Sequence, residues 1–348
     1  SIGGLMLSAD YSQLELRVAA AIGKDQKLIE VYRQGKDVHR VTASKVYKVP
    51  ENEVTQAMRR YSKTMSFRLI YGGGADAIAD ETGLTKKEAQ AMIDAFLAEY
   101  VGIAHSIEEF HDHVKKFGFV WTPMRRIFYL PDIFSENRSK QAGALRDSQN
   151  YPIQSSSSDV TMTAINFVCR ELRTTMLQSY TRAMIHDAIE TDLYPGELYS
   201  YYHILKNAME KKVCETYDWL CVPMVAEFEL GTRWDGALTV KEFDKEHMVL
   251  KGRRGFYDET METMDRGYKF GVKIKKEVYT GTHKPCKGDG EVDAVTRICK
   301  KCGQVVNPET DLDYGETLIL RKSYEGESGG NTEVTCEIDW RQHMEMAA

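Results

Sequence analysis

Apolar positions recur with two different periods along this chain. Residues 5–10, "LMLSAD", alternate and read as a strand, with Asp10 at its inner end. "SQLELRVAAAIG" then switches to helical spacing at Leu14, Leu16, Val18 and Ala19 and stops at Gly23. Helical pattern resumes over 26–34 and in "KDVHRVTASKVY", which Pro50 ends. Residues 51–71 predict a long helix running into Gly72, Gly73 and Gly74, a stop and a hinge. Thr85 is placed to cap a helix over 86–100, and another is expected over 105–117. "GFVWTPMRRIFYLPDI" alternates around turn signals and predicts a hairpin. A long helix is expected after Pro152, over 155–179, then a strand pair in "RAMIHDAIETDL". Residues 197–217 read as helical, and "VPMVAEFELGTRW" as a last strand. From Lys241 onward Lys, Glu, Gly and turn residues dominate, which reads as a separate appendage.

Composition narrows this little. The 348 residues are 42% hydrophobic and 28% charged, ordinary for a globular chain with room for two or three domains. No apolar run approaches the roughly 18 residues of a membrane span, and the first residues lack a signal-peptide pattern. A net charge of −6 argues against a polybasic binder, yet leaves a local basic groove open. The seven cysteines are an odd number; Cys169, Cys214 and Cys221 read as small core residues. A reducing compartment and a metal site are expected rather than disulfides.

Three stretches carry chemistry. In "RRYSKTMSFRLIYG", Arg59, Lys63, Phe67 and Tyr71 fall at four-residue steps, which places them in one row on a helix. Cations followed by rings suit a triphosphate and its sugar, although spacing alone favours a solvated basic face grading into a core contact. Asp10 and Asp187 each end or interrupt an apolar strand. A lone acid there is usually a turn residue, but two on separate strands of one sheet can converge on hard cations such as Mg²⁺. Near the end of the chain, His283-x2-Cys286 and Cys299-x2-Cys302 stand twelve residues apart, with Gly303 following. Four ligands so spaced suit a structural, tetrahedral zinc site. Ordinary reduced cysteines are the alternative, and Cys336 is a substitute fourth ligand should His283 not serve.

Together these stretches resemble the motifs of family A DNA polymerases. "DYSQLELR" is similar to their motif A, "RRYSKTMSFRLIYG" to motif B and "IHDAIE" to motif C. "DVHRVTA", "NYPIQSSSSDV" and "WLCVPMVAEFELGTRW" match in order, and the similarity covers about residues 5–240. The resemblance implies an α+β fold: a polymerase palm, an antiparallel sheet with helices, plus helical fingers. The zinc-ribbon-like appendage would be added to it. Residues 1–54 would hold the palm with motif A and the start of the fingers. Residues 55–145 would form the fingers, with the motif B helix at 55–71; 146–240 the motif C part of the palm; and 241–348 an extension holding the zinc residues within 283–302.

It further implies that Asp10 and Asp187, with the backbone carbonyl of Tyr11, hold two Mg²⁺ ions. Glu15 would be the steric gate that crowds a ribose 2′-hydroxyl. Arg59, Lys63, His39 and Gln13 would meet the triphosphate, Lys63 also giving a proton to pyrophosphate. Phe67 would pack on the nucleotide sugar and Tyr71 close the helix near the template base. Arg146, Asn150 and Gln154 would read the minor groove of the template–primer, and His186 would sit by the primer terminus. Some positions depart from the pattern. Ala188 stands where motif C usually has Glu, and Glu190 lies two residues on, on the same strand face but ~6.6 Å further along. Met184 replaces a Gln, "QSSSSD" a stretch of small residues, and "TPMRRIF" keeps part of a basic run.

The implied function is template-directed DNA synthesis on a primer 3′-hydroxyl, with template–primer DNA and deoxynucleoside triphosphates as partners and no membrane. The chain starts with Ser1 just ahead of motif A. A split gene, an intein product or an artificial boundary all fit, and an N-terminal fragment carrying the thumb is the expected partner. Without it, poor primer extension is expected. A single-subunit RNA polymerase is disfavoured by Glu15 and Phe67. A non-catalytic DNA-binding or replication-assembly module is the alternative that Ala188 keeps open. A bacterial or phage-infected cytoplasm is the expected location.

Overall fold

The computed structural model describes residues 4–175, 177–234, 237–244, 247–268, 273–283, 288–293, 299, 301, 304, 306, 312–313, 317–325 and 331–339. Two compact units emerge: Ser1–Asp10, Phe167–Lys206 and Ala226–Ala348 form one, and Tyr11–Asn166 with Asn207–Val225 form the other.

The second unit is helical. After β1 (Leu5–Tyr11), Gln13 in a left-handed conformation turns the chain into α1 (Leu14–Ile22). Asp25 caps α2 (Gln26–Arg33), and Asp37 caps α3 (Val38–Tyr47) by accepting from the amides of His39 and Arg40. Thr55 caps α4 (Gln56–Ile70), whose buried face holds Ser62, Met65, Ser66 and Leu69. Its opposite row is left for Arg59, Lys63, Phe67 and Tyr71. After the three glycines the chain enters α5 (Ala75–Thr82), a short helix that the sequence pattern does not predict. A capping box of Thr85 and Glu88 starts α6 (Lys86–Glu99), and α7 (Val101–Phe117) ends at Gly118. The expected hairpin is present as β2 (Phe119–Trp121) and β3 (Ile127–Tyr129).

Next comes α8 (Arg138–Thr175), which runs through Pro152 instead of starting after it. Proline removes one amide donor from a helix interior. Polar side chains fasten the helix around that gap. Gln149 donates to the Leu69 carbonyl at 2.7 Å, Ser156 to Pro152 at 2.6 Å and Ser157 to Ile153 at 2.9 Å. Such tertiary and local bonds override the breaker that the sequence displays.

The first unit is built on a sheet. β4 (Tyr180–Ile185) and β5 (Ala188–Leu193) form a hairpin, followed by α9 (Leu198–Lys206); the π-helical segment Asn207–Lys212 and α10 (Val213–Thr216) belong to the helical unit, and the chain returns to the sheet with β6 (Ala226–Gly231). The sequence placed its last strand here, but seven more follow. These are β7 (Ala237–Phe243), β8 (His247–Gly252), then after α11 (Arg254–Tyr268) β9 (Lys273–His283), β10 (Gly288–Asp293), β11 (Leu312–Asp313), β12 (Thr317–Glu325) and β13 (Asn331–Asp339). The sheet runs β10-β9-β12-β13-β8-β7-β6-β1-β5-β4, with β11 on β9. β8 and β13 pair in parallel, whereas β1–β5, β4–β5, β6–β7, β7–β8, β9–β12 and β12–β13 are antiparallel. Leu5, Leu7 and Ala9 of β1, Ile189 and Leu193 of β5, and Phe228 and Leu230 of β6 form the buried face. This is the mixed α+β architecture expected of a palm and fingers.

Candidate active site

In the sheet unit, alternation on β1 buries Leu7, Ala9 and Tyr11 and leaves Asp10 exposed. Asp10 pairs with Ala188, the first residue of β5. A two-residue turn, His186-Asp187, joins β4 to β5 between the paired Ile185 and Ala188. His186 takes a positive φ of 55° to make it. Register therefore sets Asp10 next to Asp187 at one end of adjacent strands, about 4.8 Å apart. His186 is exposed and Asp187 half-buried, and Asp187 has no basic partner among the described residues.

Glu190, which the sequence offered in place of a carboxylate at position 188, lies two residues deeper. It is 4% exposed, pairs with Ser8 across the sheet and accepts a 2.8 Å hydrogen bond from the Ser8 hydroxyl. Among the described residues, no three or more His, Cys, Asp or Glu side chains gather as a metal cluster. The donor set at this strand end is thus two carboxylates and nearby backbone carbonyls. It fits Mg²⁺, which takes one or two carboxylates and completes its shell with phosphates and water.

In the helical unit, the row on α4 is held in place by specific contacts. Arg59 Nε donates to Asp37 Oδ2 at 2.6 Å. Partial burial alone would raise the Asp37 carboxyl, but the bonds from Arg59 and the Arg40 amide bring it below its ordinary value. His39, the second residue of α3, is 2% exposed and tilts against Phe67 with ring centres 5.8 Å apart. Neither of its ring nitrogens has a hydrogen-bond partner among the described residues. Burial, aided by the charges of Lys63 and Arg59, pushes His39 down to about 4, so its ring is neutral at neutral pH. Lys63 is exposed, its Nζ 5.9 Å from the Phe67 ring centre. A buried imidazole with both nitrogens unused, beside a lysine and an arginine, is a place where an anionic ligand could complete the bonding.

The end of the row meets α1: Tyr71 donates its hydroxyl to the Glu15 carboxylate. Gln13 accepts from Tyr32 at 3.1 Å. Gly72 follows with φ 76°, and a Cβ there would lie 2.8 Å from Arg146 Cβ, so only glycine admits this approach of α8. Arg146, Asn150 and Gln154 recur at four-residue steps on α8. Tyr11 is buried and donates to the Met209 carbonyl, in the π-helical segment, at 2.8 Å.

Two residues escaped the sequence reading. Asp37 both caps α3 and holds Arg59; an acid just before an apolar helical pattern is a cap signal that could have revealed it. Arg17 is 6% exposed, lies 4.2 Å from the Tyr32 ring centre, and donates to the Ser12 and Pro223 carbonyls. Its burial on an apolar helix leaves no sequence signal. Of the expected zinc ligands, Cys286, Cys302 and the side chain of His283 lie outside the described residues. Cys299 is buried, bridges to Val292, and its amide donates to the Gln304 carbonyl at 2.9 Å. Cys336 faces Leu320 and Leu250 in register within the sheet, and burial pushes its thiol up to about 12.

Acids at a shared strand end and a helix that lines cations up with rings are what nucleotidyl transfer asks of a fold, and they define the polymerase class. The chain belongs to DNA polymerase family A, whose profile it matches over residues 2–236. It is 34% identical over 230 residues to DNA polymerase I of Geobacillus stearothermophilus, covering 66% of this chain and 26% of that protein. For DNA polymerase I of Pseudomonas aeruginosa the figures are 34% over 242 residues, 68% and 25%. The chain thus spans about a quarter of the length of these relatives. Among solved structures it is similar to the POL domain of Pol1 from M. smegmatis, captured in complex with DNA primer-template and dNTP. The TM-score is 0.62 at 30% identity, covering 67% of this chain and 40% of that one.

Proposed function

We propose that this chain carries out template-directed DNA synthesis, adding deoxynucleotides to a primer 3′-hydroxyl. The observation that carries this reading is the β1–β5 register that brings Asp10 beside Asp187. Asp10, Asp187 and the Tyr11 carbonyl would hold two Mg²⁺ ions, which when bound favour ionisation of the 3′-hydroxyl and neutralise charge on the leaving pyrophosphate. The primer oxygen bonds to the α-phosphorus as the bond to pyrophosphate breaks, and Lys63 gives the leaving group a proton. Arg59, His39 and Gln13 orient the triphosphate, Phe67 packs on the sugar, and Glu15 excludes a 2′-hydroxyl. Tyr71 stands by the template base, Arg146, Asn150 and Gln154 hold the duplex from its minor groove, and His186 meets the primer end.

Template–primer DNA and deoxynucleotides are the proposed ligands, in keeping with those named for the M. smegmatis structure. A thumb-carrying polypeptide is the proposed partner, and a bacterial or phage-infected cytoplasm the proposed location. No helix among the described residues is long and apolar enough to cross a membrane. A structural zinc at His283, Cys286, Cys299 and Cys302 is proposed from their spacing. His283 is preferred to Cys336, whose thiol burial keeps protonated. Elemental analysis is expected to give one zinc per chain; well below one removes it. The proposed domain limits are 1–54, 55–145, 146–240 and 241–348.

Primer extension with deoxynucleotides and with ribonucleotides, with and without the thumb-carrying polypeptide, tests the activity. Extension by deoxynucleotides alone supports it. Ala188 favours a second reading, a non-catalytic DNA-binding or assembly module. Duplex binding without extension under every condition would select that reading.

A further inference from the structure

The hairpin of β2 and β3 departs from the usual chemistry of a two-stranded ribbon. One face, Val120 and Phe128, packs into a cluster with Val114, Leu130, Ile133 and Ala144. The other face should then be polar. Instead the register pairs Phe119 with Tyr129 and Trp121 with Ile127, so all four outward positions are apolar. Trp121 is 46% exposed, Ile127 49% and Tyr129 75%.

The patch continues past the ribbon. His113 packs edge-on to Trp121 with ring centres 4.3 Å apart, and lies 4.5 Å from Phe117 and 5.0 Å from Phe119. Phe117 and Phe134 are exposed too. Phe134 lies against Gly118, where a Cβ would come within 2.7 Å of its ring. Gly118 has φ 73°, so the chain turns from α7 into β2 only because glycine is there. A contiguous apolar surface of this kind is a binding surface as a rule.

Charge selects the occupant. Residues 113–140 hold six Lys or Arg and two Asp or Glu. Lys115 pairs with Asp112, Arg126 with Asp159 and Lys140 with Asp132, and Lys116, Arg125 and Arg138 have no acidic partner among the described residues. Lys116 Nζ sits 5.0 Å from the Phe117 ring centre. Exposed rings framed by cations are what unpaired nucleotides need: bases stack on the rings and phosphates meet the cations. Apolar protein partners would gain nothing from the local excess of positive charge. We propose that the outer face of this hairpin, with Trp121 and Tyr129 as its principal rings, is a stacking platform for single-stranded nucleic acid. The choice of a polynucleotide rests on the polymerase reading, in which the unpaired template strand would occupy it.

The test is fluorescence anisotropy of a labelled oligothymidylate of about 20 nucleotides with the full chain, in metal-free buffer at two salt concentrations. Binding is expected to weaken with salt. W121A/Y129A is expected to bind at least about tenfold more weakly, and W121F/Y129F within about twofold of the parent, with a cooperative thermal transition kept in both because neither ring belongs to the buried cluster. Equal affinity of W121A/Y129A and the parent overturns the proposal. So does a parent that binds no oligonucleotide, or a W121A/Y129A chain that loses self-association in sedimentation while its oligonucleotide binding stays intact. Primer extension by Asp10→Asn, run alongside, separates the two readings. Retained extension sinks the polymerase assignment and leaves the platform standing, since stacking needs no metal.

Discussion

Asp10 faces Ala188 across the β1–β5 ladder, so the neighbour of Asp187 in the chain is the partner of Asp10 in the sheet. Two acids remote in sequence become adjacent through backbone pairing alone. Asp10→Asn and Asp187→Asn keep shape and remove charge. Each is expected to lower single-turnover primer extension by about a thousandfold, the scale of losing several kcal/mol of metal-borne stabilisation. Near-parental rates in either variant would refute the assignment.

Ala188 points to the same face as Asp10, because directly opposed residues of a ladder do. Ala188→Glu places a third carboxylate there, where Glu190 cannot serve while Ser8 binds it. The Mg²⁺ concentration for half-maximal extension is expected to fall several-fold, read from a metal titration. No change would mean that position 188 does not reach the ions.

His39 gives a pH signature. Its folded value near 4 lies below the ordinary 6.5. Above about pH 6.5 the ring is neutral in both states and costs nothing. Between 6.5 and 4 the unfolded chain takes up a proton that the folded chain refuses, so stability falls, by ~3 kcal/mol in all. Urea midpoints at pH 7 and pH 4.5 should differ more for the parent than for His39→Gln.

Glu15 and Tyr71 are bonded to each other, so the proposed gate is held by the last residue of the motif B row. Glu15→Ala is expected to admit ribonucleotides, raising their incorporation by about a hundredfold relative to deoxynucleotides. Tyr71→Phe, which removes this hydrogen bond but keeps the carboxylate, should give a smaller change in the same direction. Competition between the two nucleotide types measures both.

Asp25 is a stability residue. Its carboxylate accepts from the Leu28 amide at 3.0 Å and from the Gly102 amide at 2.8 Å, and it is 3% exposed. Asp25→Ala removes a helix cap and strands a second buried donor. A loss of about 2–3 kcal/mol is expected in chemical denaturation, with no selective effect on nucleotide affinity.

Local patterns carried most of this architecture. The alternation of 5–10, the cap at Thr85, and the four-residue row of α4 are short-range signals, and the structure places them as read, whereas the cap at Thr55 starts α4 five residues later than the expected 51. What escaped depends on partners far away in sequence. α8 passes Pro152 because Gln149 finds Leu69. The late strands look turn-rich in isolation, although Val334, Cys336 and Ile338 of β13 bury at every second residue. A period of two becomes persuasive only when the neighbouring strand is known. The same holds at the site: the two acids were visible singly, whereas the engagement of Glu190 by Ser8 was not.

The family resemblance ends at residue 236, one position before β7 begins. Everything later in the sheet is therefore stacked onto β6 by strand addition. Cutting the gene at that point would bare a row of backbone amides and carbonyls along β6 and invite molecules to zip together. The extra strands act as a sealed border for the part of the sheet that matches the family, so a trimmed chain should precipitate unless a new border is supplied.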